Sequence, residues 1–442
     1  MFLQRVSMNR QNYLCSLQLM LQLLALLFCS AGMAQKVEVL YGNVNDASNG
    51  QPVPFATVTL KNSLIGTTTN ESGQFELHLP DTLQEDELLV TFLGYAFKTY
   101  PLESVRSPLL VSLVPSSIDL KEVLIRPLPP TYYIKLAMQS KAANYPSAPF
   151  ESNAYYREII QENGNFLRSH EGVFKTYYPN FQDTLKNQHQ LLLFRKANDL
   201  QELAFMKKER LKDEAKDKRR AEKSIKKGKP LKKDSKNNDK DSLKIGEIFG
   251  GPENLLKMSD IFKDPENFLD SSEFKNYTYS FAKASSYNDV ALMVIQYQSK
   301  GKVDHVREEG FIYLDIASNA IVKIESKGSY AIPTLARPVL FLMGLGVKNP
   351  TFKSSISFQK VNDRWYPNAI QFKMNIQVEK KRMFSKNDNS NFDIEGVLAV
   401  NKLKTSAPSP VELTKRFSVK KKPEVQVFND QGLTWSEVNI IK

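Results

Sequence analysis

Residues 52–79 read PVPFATVTLKNSLIGTTTNESGQFELHL, and this stretch carries the pattern that decides how the chain begins to fold. Residues 55–60 and 74–79 alternate apolar with polar side chains and contain β-branched or aromatic residues, as half-buried β-strands do. Residues 70–73, Asn-Glu-Ser-Gly, come directly before the second run. Because Asn can hydrogen-bond its own backbone and Gly can adopt a positive φ, this tetrapeptide predicts a turn.

The same pattern continues on both sides of this stretch. Strand-like runs occupy residues 37–41, 88–92 and 109–113, and residues 45–50 form a further turn motif with Asn, Asp and Gly. About seven short strands in about 80 residues are typical of a small antiparallel β-sandwich. We therefore predict that a β-sandwich occupies residues 35–127.

The predicted sandwich also contains a set of spaced motifs, which are Gly42-x-Val44-x-Asp46, Gly50-Gln-Pro52-x-Pro-x-Ala56-x-Val58-x-Leu60, Gly66-Thr-x-Thr69-Asn70-x-x-Gly73-x-Phe75, Gly94-Tyr95 and Leu120-x-Glu122-Val123. This set resembles the carboxypeptidase-regulatory-like domain, a transthyretin-like sandwich that commonly begins exported envelope proteins of Bacteroidota. Asn70 stands where that family often has Asp. The resemblance implies a module that accompanies catalytic domains and is not itself catalytic.

Two activities associated with such modules do not fit the sequence. A zinc carboxypeptidase needs a His-x-x-Glu pair and a further His downstream. The chain has one such pair, His305 and Glu308, and no His follows it. An outer-membrane transporter would need a plug and a large barrel, for which the residues after 130 are too few.

The first 34 residues have the features of a secretory signal peptide. They contain Arg5 and Arg10 but no acidic residue, then a mainly apolar run from Leu14 to Phe28, and small residues before a cut after Ala34. This order favours export and cleavage over a membrane anchor, because the apolar run is short for a span. Cys29 leaves a lipoprotein as an alternative, although the preceding Phe28 fits such a site poorly.

The charge of the chain is concentrated in one segment. The whole sequence has 60 Lys and Arg against 48 Asp and Glu, whereas residues 207–240 alone have 16 against 7. We interpret the region at about 200–245 as a basic, disordered insert in a domain that is otherwise close to neutral. Its lysines could contact an anionic membrane or polysaccharide surface, and we name Lys226, Lys227, Lys229, Lys232 and Lys233 for this role. Nucleic acid is not predicted as a partner, because aromatic residues are not interleaved with the lysines.

Residues 128–442 are predicted to form a second, antiparallel β domain. A Leu-Pro-Pro linker at 128–130 and a helix over 132–144 precede about ten strand-like runs. The runs are residues 154–160, 166–178, 190–194, 277–282, 291–298, 310–316, 320–326, 352–359, 369–378 and 392–400.

Two further resemblances concern this domain. Residues 144–146, Asn-Tyr-Pro, and 155–158, Tyr-Tyr-Arg-Glu, resemble a set of uncharacterised Bacteroidota envelope proteins that pair such a domain with the sandwich. Residues 310–315, 320–325 and 365–367 are similar to the strand pattern of the lipoprotein-carrier (LolA-like) half-barrel. The second resemblance implies a half-barrel-like domain.

Residues 331–347 form the most apolar segment after the leader. Two prolines and Arg337 argue against a membrane span. One interpretation is a buried element that packs on the sheet. The other is a lid over a hydrophobic groove that accepts an acyl chain, and the residues named for this ligand lid are Val339, Leu340, Phe341, Leu342 and Met343.

The sequence has no recognisable catalytic motif. It lacks Gly-x-Ser-x-Gly, His-Glu-x-x-His and a phosphate-binding loop. Asp304 and His305 with Glu308 and Glu309 could bind a cation, but His in a charged turn is usually solvated. A catalytic Asp/Glu pair stays open, because its members need not be close in sequence.

We therefore predict an exported, mainly β protein of the periplasm or outer membrane that binds a partner protein or a lipid-like ligand. It is predicted not to be an enzyme and to use no cofactor or metal. The alternatives are a hydrolase that uses a carboxylate pair and a purely structural accessory. The ligand, the partner and the oligomeric state are left open.

Overall fold

The computed structural model describes most of the chain after the leader. The described residues are 37–80, 85–116, 128–181, 185–197, 251–287, 290–332, 334, 336–342, 344–348, 350–381 and 386–441, together with 211, 215, 218 and 219. The predicted signal peptide and nearly all of the predicted basic insert, including its five named lysines, lie outside the described residues.

The first domain is a sandwich of two small sheets. One sheet has the strand order β4-β1-β7 and the other β3-β2-β5-β6. The strands are β1 (Val37–Asp46), β2 (Thr57–Leu60), β3 (Gly66–Thr68), β4 (Gln74–Pro80), β5 (Glu87–Thr91), β6 (Lys98–Pro101) and β7 (Leu109–Leu113).

The alternating runs form this sandwich because one side of each strand is buried between the sheets. Val58, Leu77 and Val90 are fully buried in the sandwich core. At the predicted turn, the side-chain Oδ1 of Asn70 accepts hydrogen bonds from the backbone N–H groups of Ser72 and Gln74, both at 2.9 Å. Asn at this position therefore makes the turn that the sequence predicted.

The second domain is a large antiparallel sheet with a few short helices. Its helices are α1 (Pro130–Gln139), α2 (Lys141–Asn144), α3 (Pro252–Met258) and α4 (Ala336–Leu342). Its strands are β8 (Phe150–Glu162), β9 (Asn165–Tyr178), β10 (Gln188–Lys196), β11 (Tyr277–Phe281), β12 (Ser285–Tyr287), β13 (Val290–Ser299), β14 (Val306–Asp315), β15 (Ile321–Tyr330), β16 (Leu345–Val347), β17 (Thr351–Val361), β18 (Arg364–Lys380) and β19 (Asp388–Lys404).

The strands of this sheet follow the order β10-β9-β8-β19-β18-β17-β15-β14-β13-β11, with β12 on β13 and β16 on β18. The prediction of a mainly β protein, with a sandwich followed by a large antiparallel sheet and few helices, is confirmed. The sandwich was predicted to be antiparallel, but β1 and β7 pair in parallel. Each predicted run in this domain overlaps a strand, and most strands are longer than the run; the run at 369–378, for example, lies within Arg364–Lys380. The exception is β11, which ends at Phe281, one residue before the end of the predicted run. The sequence missed β12 and β16, because three residues are too few to show alternation.

The apolar face of the sheet, called the inner face here, carries residues such as Ile324, Phe352 and Phe372 and contains the main core. Residues of α1, α3 and the segment 259–270 pack against it, among them Ile134, Leu255 and Phe268. The opposite, outer face carries polar residues such as Glu309 and Lys327, which form an ion pair. Alternation along each strand separates the two faces.

The last residues of the chain join the two domains. Asn439, which is 2% exposed, accepts a hydrogen bond from the backbone N–H of His78 and donates one to the carbonyl of Gly66, both in the sandwich. Its own carbonyl accepts a hydrogen bond from Asn401 of β19. The segment around Val427 lies along the edge strand β10, where Val427 forms a bridge with Leu191. This segment therefore protects the edge of the sheet from pairing with another chain.

Candidate functional site

A cavity of about 660 Å³ lies between the inner face and the segment that follows α3. Ile324, Phe352 and Phe372 form the wall on the sheet side, and Ile261 and Phe268 form the opposite wall. None of these five side chains is more than 9% exposed. Because they are held by the core on one side and face the cavity on the other, the walls are apolar and fixed in position.

The wall opposite the sheet is held in place by aromatic packing. The ring of Phe268 stacks on Tyr297 of β13, with 4.1 Å between the ring centroids and 13° between the ring planes. The hydroxyl of Tyr279 donates a hydrogen bond of 2.8 Å to the carbonyl of Phe268. These contacts fix the segment over the sheet, and the cavity below it is therefore part of the folded domain.

One end of the cavity is polar and contains Glu308, which is 8% exposed. Its Oε1 accepts a hydrogen bond of 2.8 Å from the hydroxyl of Tyr277. Burial raises the pKa of Glu308 to about 7, the hydrogen bond from Tyr277 opposes this rise, and the negative charge of Glu266 adds to it. Near neutral pH this carboxyl group therefore exists in both protonation states and can donate or accept a hydrogen bond.

Other ionisable residues line the same cavity. Three are acidic (Asp264, Glu266 and Asp304) and two are basic (Lys257 and His305). The three acidic residues are exposed, and Glu266 lies close enough for its charge to raise the pKa of Glu308. Asp304 accepts a hydrogen bond of 3.0 Å from the side chain of Asn267, which links the β13–β14 turn to the opposite wall. The cavity therefore combines apolar walls with an acidic end.

The four residues considered for a cation do not converge. Glu308 points to the inner face, whereas Glu309 lies on the outer face, where it pairs with Lys327 at 2.9 Å and accepts a hydrogen bond from Gln298. Consecutive residues of a strand point to opposite faces, so this separation follows from the strand itself. Among the described residues, no group of three or more His, Cys, Asp or Glu side chains could hold a metal ion.

The segment predicted as a ligand lid lies beside the cavity. Ala331 and Ile332 line the cavity, and Leu340 packs against a separate apolar cluster that includes Ile376 and Phe392. Phe341 and Leu342 are 71% and 85% exposed. The side chain of Val339 and the whole of Met343 lie outside the described residues, so the lid stays a prediction.

Sequence reasoning did not single out Glu308 as a cavity residue. A signal was present, because residues 306, 308, 310, 312 and 314 read Val, Glu, Gly, Ile and Leu at every second position. This alternation places one Glu in a row of inward-facing residues. What the sequence could not show is that residues 254–268, far away in the chain, close over the same place.

The comparisons with known proteins identify the first domain only. The CarboxypepD_reg-like domain model matches residues 40–125, which confirms the resemblance stated above. No curated protein matches the sequence of the chain. Among the described residues, no helix is both long enough and apolar enough to cross a membrane.

Three solved structures are similar to this chain, each with a low sequence identity and a low TM-score. A LolA superfamily protein of Nitrosomonas europaea has 8% identity and a TM-score of 0.20, with 64% of this chain and 96% of that chain covered. Lipovitellin, described for its lipid–protein interactions, has 8% identity and a TM-score of 0.24, with 60% and 26% covered.

The third is a Bacteroides fragilis protein described as membrane-associated and of unknown function. It has 10% identity and a TM-score of 0.14, with 83% of this chain and 98% of that chain covered. Likeness of this degree says nothing about what the chain binds. Residues 40–125 are thus a carboxypeptidase-regulatory-like domain, and this is the part of the chain whose family is established.

Proposed function

We propose that the protein is an exported, non-catalytic binding protein of the cell envelope that holds a lipid-like ligand in the cavity on the inner face. The single observation that carries this proposal is the cavity itself, with a volume of about 660 Å³ and buried apolar walls. Ligand sites commonly have volumes of about 300–1,000 Å³ and combine apolar walls with a few polar groups.

The acidic end of the cavity restricts the chemistry of the ligand. Asp264, Glu266 and Asp304 also line the cavity, at exposed positions, and the negative charge of Glu266 raises the pKa of Glu308. A fatty acid or sulfonate whose charged group lay beside the buried Glu308 would meet groups of its own sign, which is unfavourable. We therefore propose a ligand with an apolar body and a neutral or cationic polar group.

A fluorescent probe tests this proposal. The probe is N-phenyl-1-naphthylamine, which is neutral and apolar, added to purified residues 35–442. We expect saturable binding that is stronger than that of the anionic probe 8-anilinonaphthalene-1-sulfonate. Native mass spectrometry of the same protein from its own envelope should show an added mass of lipid size that is lost on denaturation.

Two tryptophan variants locate the binding. Ser354 of β17 lines the cavity, and Ser354→Trp adds a large side chain there, so we expect about tenfold weaker binding of the neutral probe. Lys353, its neighbour, is exposed, and Lys353→Trp adds the same side chain on the outer face of the same strand. Equal binding by wild type and both variants, or no binding by the wild type, would show that the cavity is not the site.

The exported location is a separate part of the proposal and rests on the leader. The protein isolated from its native envelope should begin at residue 35, the position after the predicted cut. A lipid-modified start at Cys29 would replace this assignment with a lipoprotein anchor.

A partner protein is the second candidate, and one feature of the sandwich favours it. Val39, Tyr41 and Leu110 are 38%, 51% and 72% exposed on the sheet that contains β1 and β7. Changing Tyr41 and Leu110 to Ser should abolish co-purification of a partner while leaving probe binding unchanged. Loss of probe binding with these variants would contradict a division of roles between the two domains.

The hydrolase alternative also has one observation in its favour. A carboxyl group with a pKa of about 7 in a cavity is suited to general acid–base catalysis, and Glu308 has this property. A panel of 4-nitrophenyl esters and glycosides tests the alternative. Turnover that disappears in Glu308→Gln would establish it in place of the non-catalytic proposal.

A further inference from the structure

The helix α4 carries an exposed apolar tip that the cavity does not explain. Leu340 packs against the apolar cluster of Ile160, Ile376 and Phe392, which holds the helix on the sheet. The next two side chains, Phe341 and Leu342, project from the protein and are 71% and 85% exposed. Contiguous exposed apolar side chains are a feature of surfaces that contact proteins or membranes.

Basic residues flank this tip. The ammonium group of Lys381 lies 5.8 Å from the centroid of the Phe341 ring. Arg337 precedes Phe341 by four residues in α4, so the two lie on the same side of the helix, and both basic residues are exposed. The surface therefore combines apolar side chains that can insert with cations that can remain in a polar layer.

We propose that the tip of α4, formed by Phe341 and Leu342 with Arg337 and Lys381, docks the protein on a lipid bilayer that contains anionic headgroups. The inference goes beyond the proposed ligand site, because it concerns the outside of the protein and uses other residues. Aromatic and aliphatic side chains insert at the boundary between headgroups and acyl chains, and basic side chains contact the anionic headgroups.

A bilayer explains this surface better than a protein partner does. A stable protein interface buries at least about 1,000 Å² with shape complementarity. Two projecting side chains on a helix of seven residues offer neither a groove nor an area of that size. A bilayer needs no complementary shape, since the side chains enter a fluid layer.

The position of the tip connects it with the cavity. Ala331 and Ile332, a few residues before α4, line the cavity. Met374 of β18 lies both in the cavity wall and against the cluster that holds α4. A protein docked through α4 would therefore hold the cavity close to the bilayer surface.

Flotation with vesicles tests the docking surface. Residues 35–442, which contain all elements described here, are mixed with vesicles of phosphatidylethanolamine and phosphatidylglycerol, or with vesicles of phosphatidylcholine alone. We expect binding to the anionic vesicles that falls with added salt. The affinity of the double variant Phe341→Ser/Leu342→Ser for these vesicles should be lower by about tenfold or more, because both inserting side chains are lost.

The control variant is Leu413→Ser/Val425→Ser, which removes two apolar side chains that are 78% and 70% exposed elsewhere on the domain. It should bind as the wild type does. Arg337→Glu/Lys381→Glu should lose binding to anionic vesicles and keep whatever binding phosphatidylcholine vesicles show. Unchanged binding by the Phe341/Leu342 variant would overturn the proposal.

A further variant separates this surface from the predicted basic insert. Changing Lys226, Lys227, Lys229, Lys232 and Lys233 together to Gln should reduce vesicle binding less than the Phe341/Leu342 variant does. If the insert variant alone loses binding, the insert and not α4 is the membrane contact. Binding of N-phenyl-1-naphthylamine is measured on the same variants, so that failure of the ligand proposal and failure of the docking proposal are seen separately.

Discussion

The hydroxyl of Tyr277 donates a 2.8 Å hydrogen bond to Oε1 of Glu308 in the cavity between the sheet and the segment after α3. The bond joins β11 to β14 across the intervening strand β13. It gives the buried carboxyl group a partner in a site that otherwise disfavours its charge. The polar end of the cavity is therefore built by three strands, and its carboxyl group titrates near neutrality.

Glu308 makes the stability of the protein depend on pH. Burial, and to a smaller extent the charge of Glu266, raises its pKa from 4.5 to about 7, so the folded state binds this proton more tightly than the unfolded state. The contribution of Glu308 to the free energy of unfolding should then fall by about 3 kcal/mol as the pH rises from about 4.5 through 7.

Glu308→Gln keeps a hydrogen-bond acceptor for Tyr277 but cannot ionise. Relative to wild type, it should be more stable at pH 8 than at pH 4 by about 2–3 kcal/mol, as measured by urea unfolding at both pH values. The comparison variant is Glu309→Gln, which loses one exposed ion pair with Lys327 and should cost less than about 1 kcal/mol. If the difference in unfolding free energy between Glu308→Gln and wild type is the same at both pH values, the pKa of Glu308 is not raised in the folded protein.

Gly310 is required by the close approach of β14 and β15. A Cβ atom at this position would lie 1.9 Å from the carbonyl oxygen of Glu325 and 2.8 Å from the Tyr297 ring. Gly310→Ala should therefore destabilise the protein by about 3 kcal/mol, because the strand pair must move apart. Gly301→Ala is the control, since nothing lies within 4 Å of its added Cβ, and it should change the unfolding free energy by less than about 0.5 kcal/mol.

Asn439 is predicted to couple the two domains. Asn439→Ala leaves the N–H of His78 and the carbonyl of Gly66 without their buried partner, which should cost about 2–4 kcal/mol. Asn389→Ala, at an exposed position of β19, should cost less than about 0.5 kcal/mol. Thermal unfolding of the two variants is measured by calorimetry. If Asn439→Ala and Asn389→Ala unfold at the same temperature, the contact of Asn439 does not join the domains.

Phe268 is predicted to hold the wall that faces the sheet. Phe268→Ala removes a ring that is 1% exposed and stacked on Tyr297, so a loss of about 3–5 kcal/mol is expected. Binding of N-phenyl-1-naphthylamine should weaken in conditions where the variant is still folded. Phe166→Ala, which removes a half-exposed ring at the β8–β9 hairpin, should change neither the stability nor the probe binding. If Phe268→Ala binds the probe as tightly as the wild type does, Phe268 does not have this role in the wall.

Most of the architecture could be predicted from local patterns. The alternation in residues 74–79 and the turn at Asn70 predict a strand and its beginning, because these depend on neighbouring residues only. The same holds for the hairpin at Asn163 and Gly164, which both adopt the positive φ that the dipeptide favours. Short elements such as Leu345–Val347 were missed, because their pairing with β18 and not their own sequence makes them strands.

The candidate site could be predicted only in part. The alternation around Glu308 places it among inward-facing residues, but nothing nearby indicates that Tyr277 reaches it. In the same way, residues 331–347 were recognised as apolar, yet their sequence does not tell that Leu340 is packed while Phe341 and Leu342 are exposed. These facts depend on which distant elements cover each side chain.

Local sequence patterns were sufficient to predict the longer strands, the turns and the carboxypeptidase-regulatory-like domain, since hydrophobic alternation and turn chemistry act between residues that are close in the chain. The tertiary structure alone decided that residues 254–268 close a cavity over β14, β15, β17 and β18, that Asn439 joins the two domains, and that α4 ends in an exposed tip. Each of these depends on contacts between residues far apart in sequence, whose burial and pKa values are set by the folded surroundings and not by their neighbours in the chain.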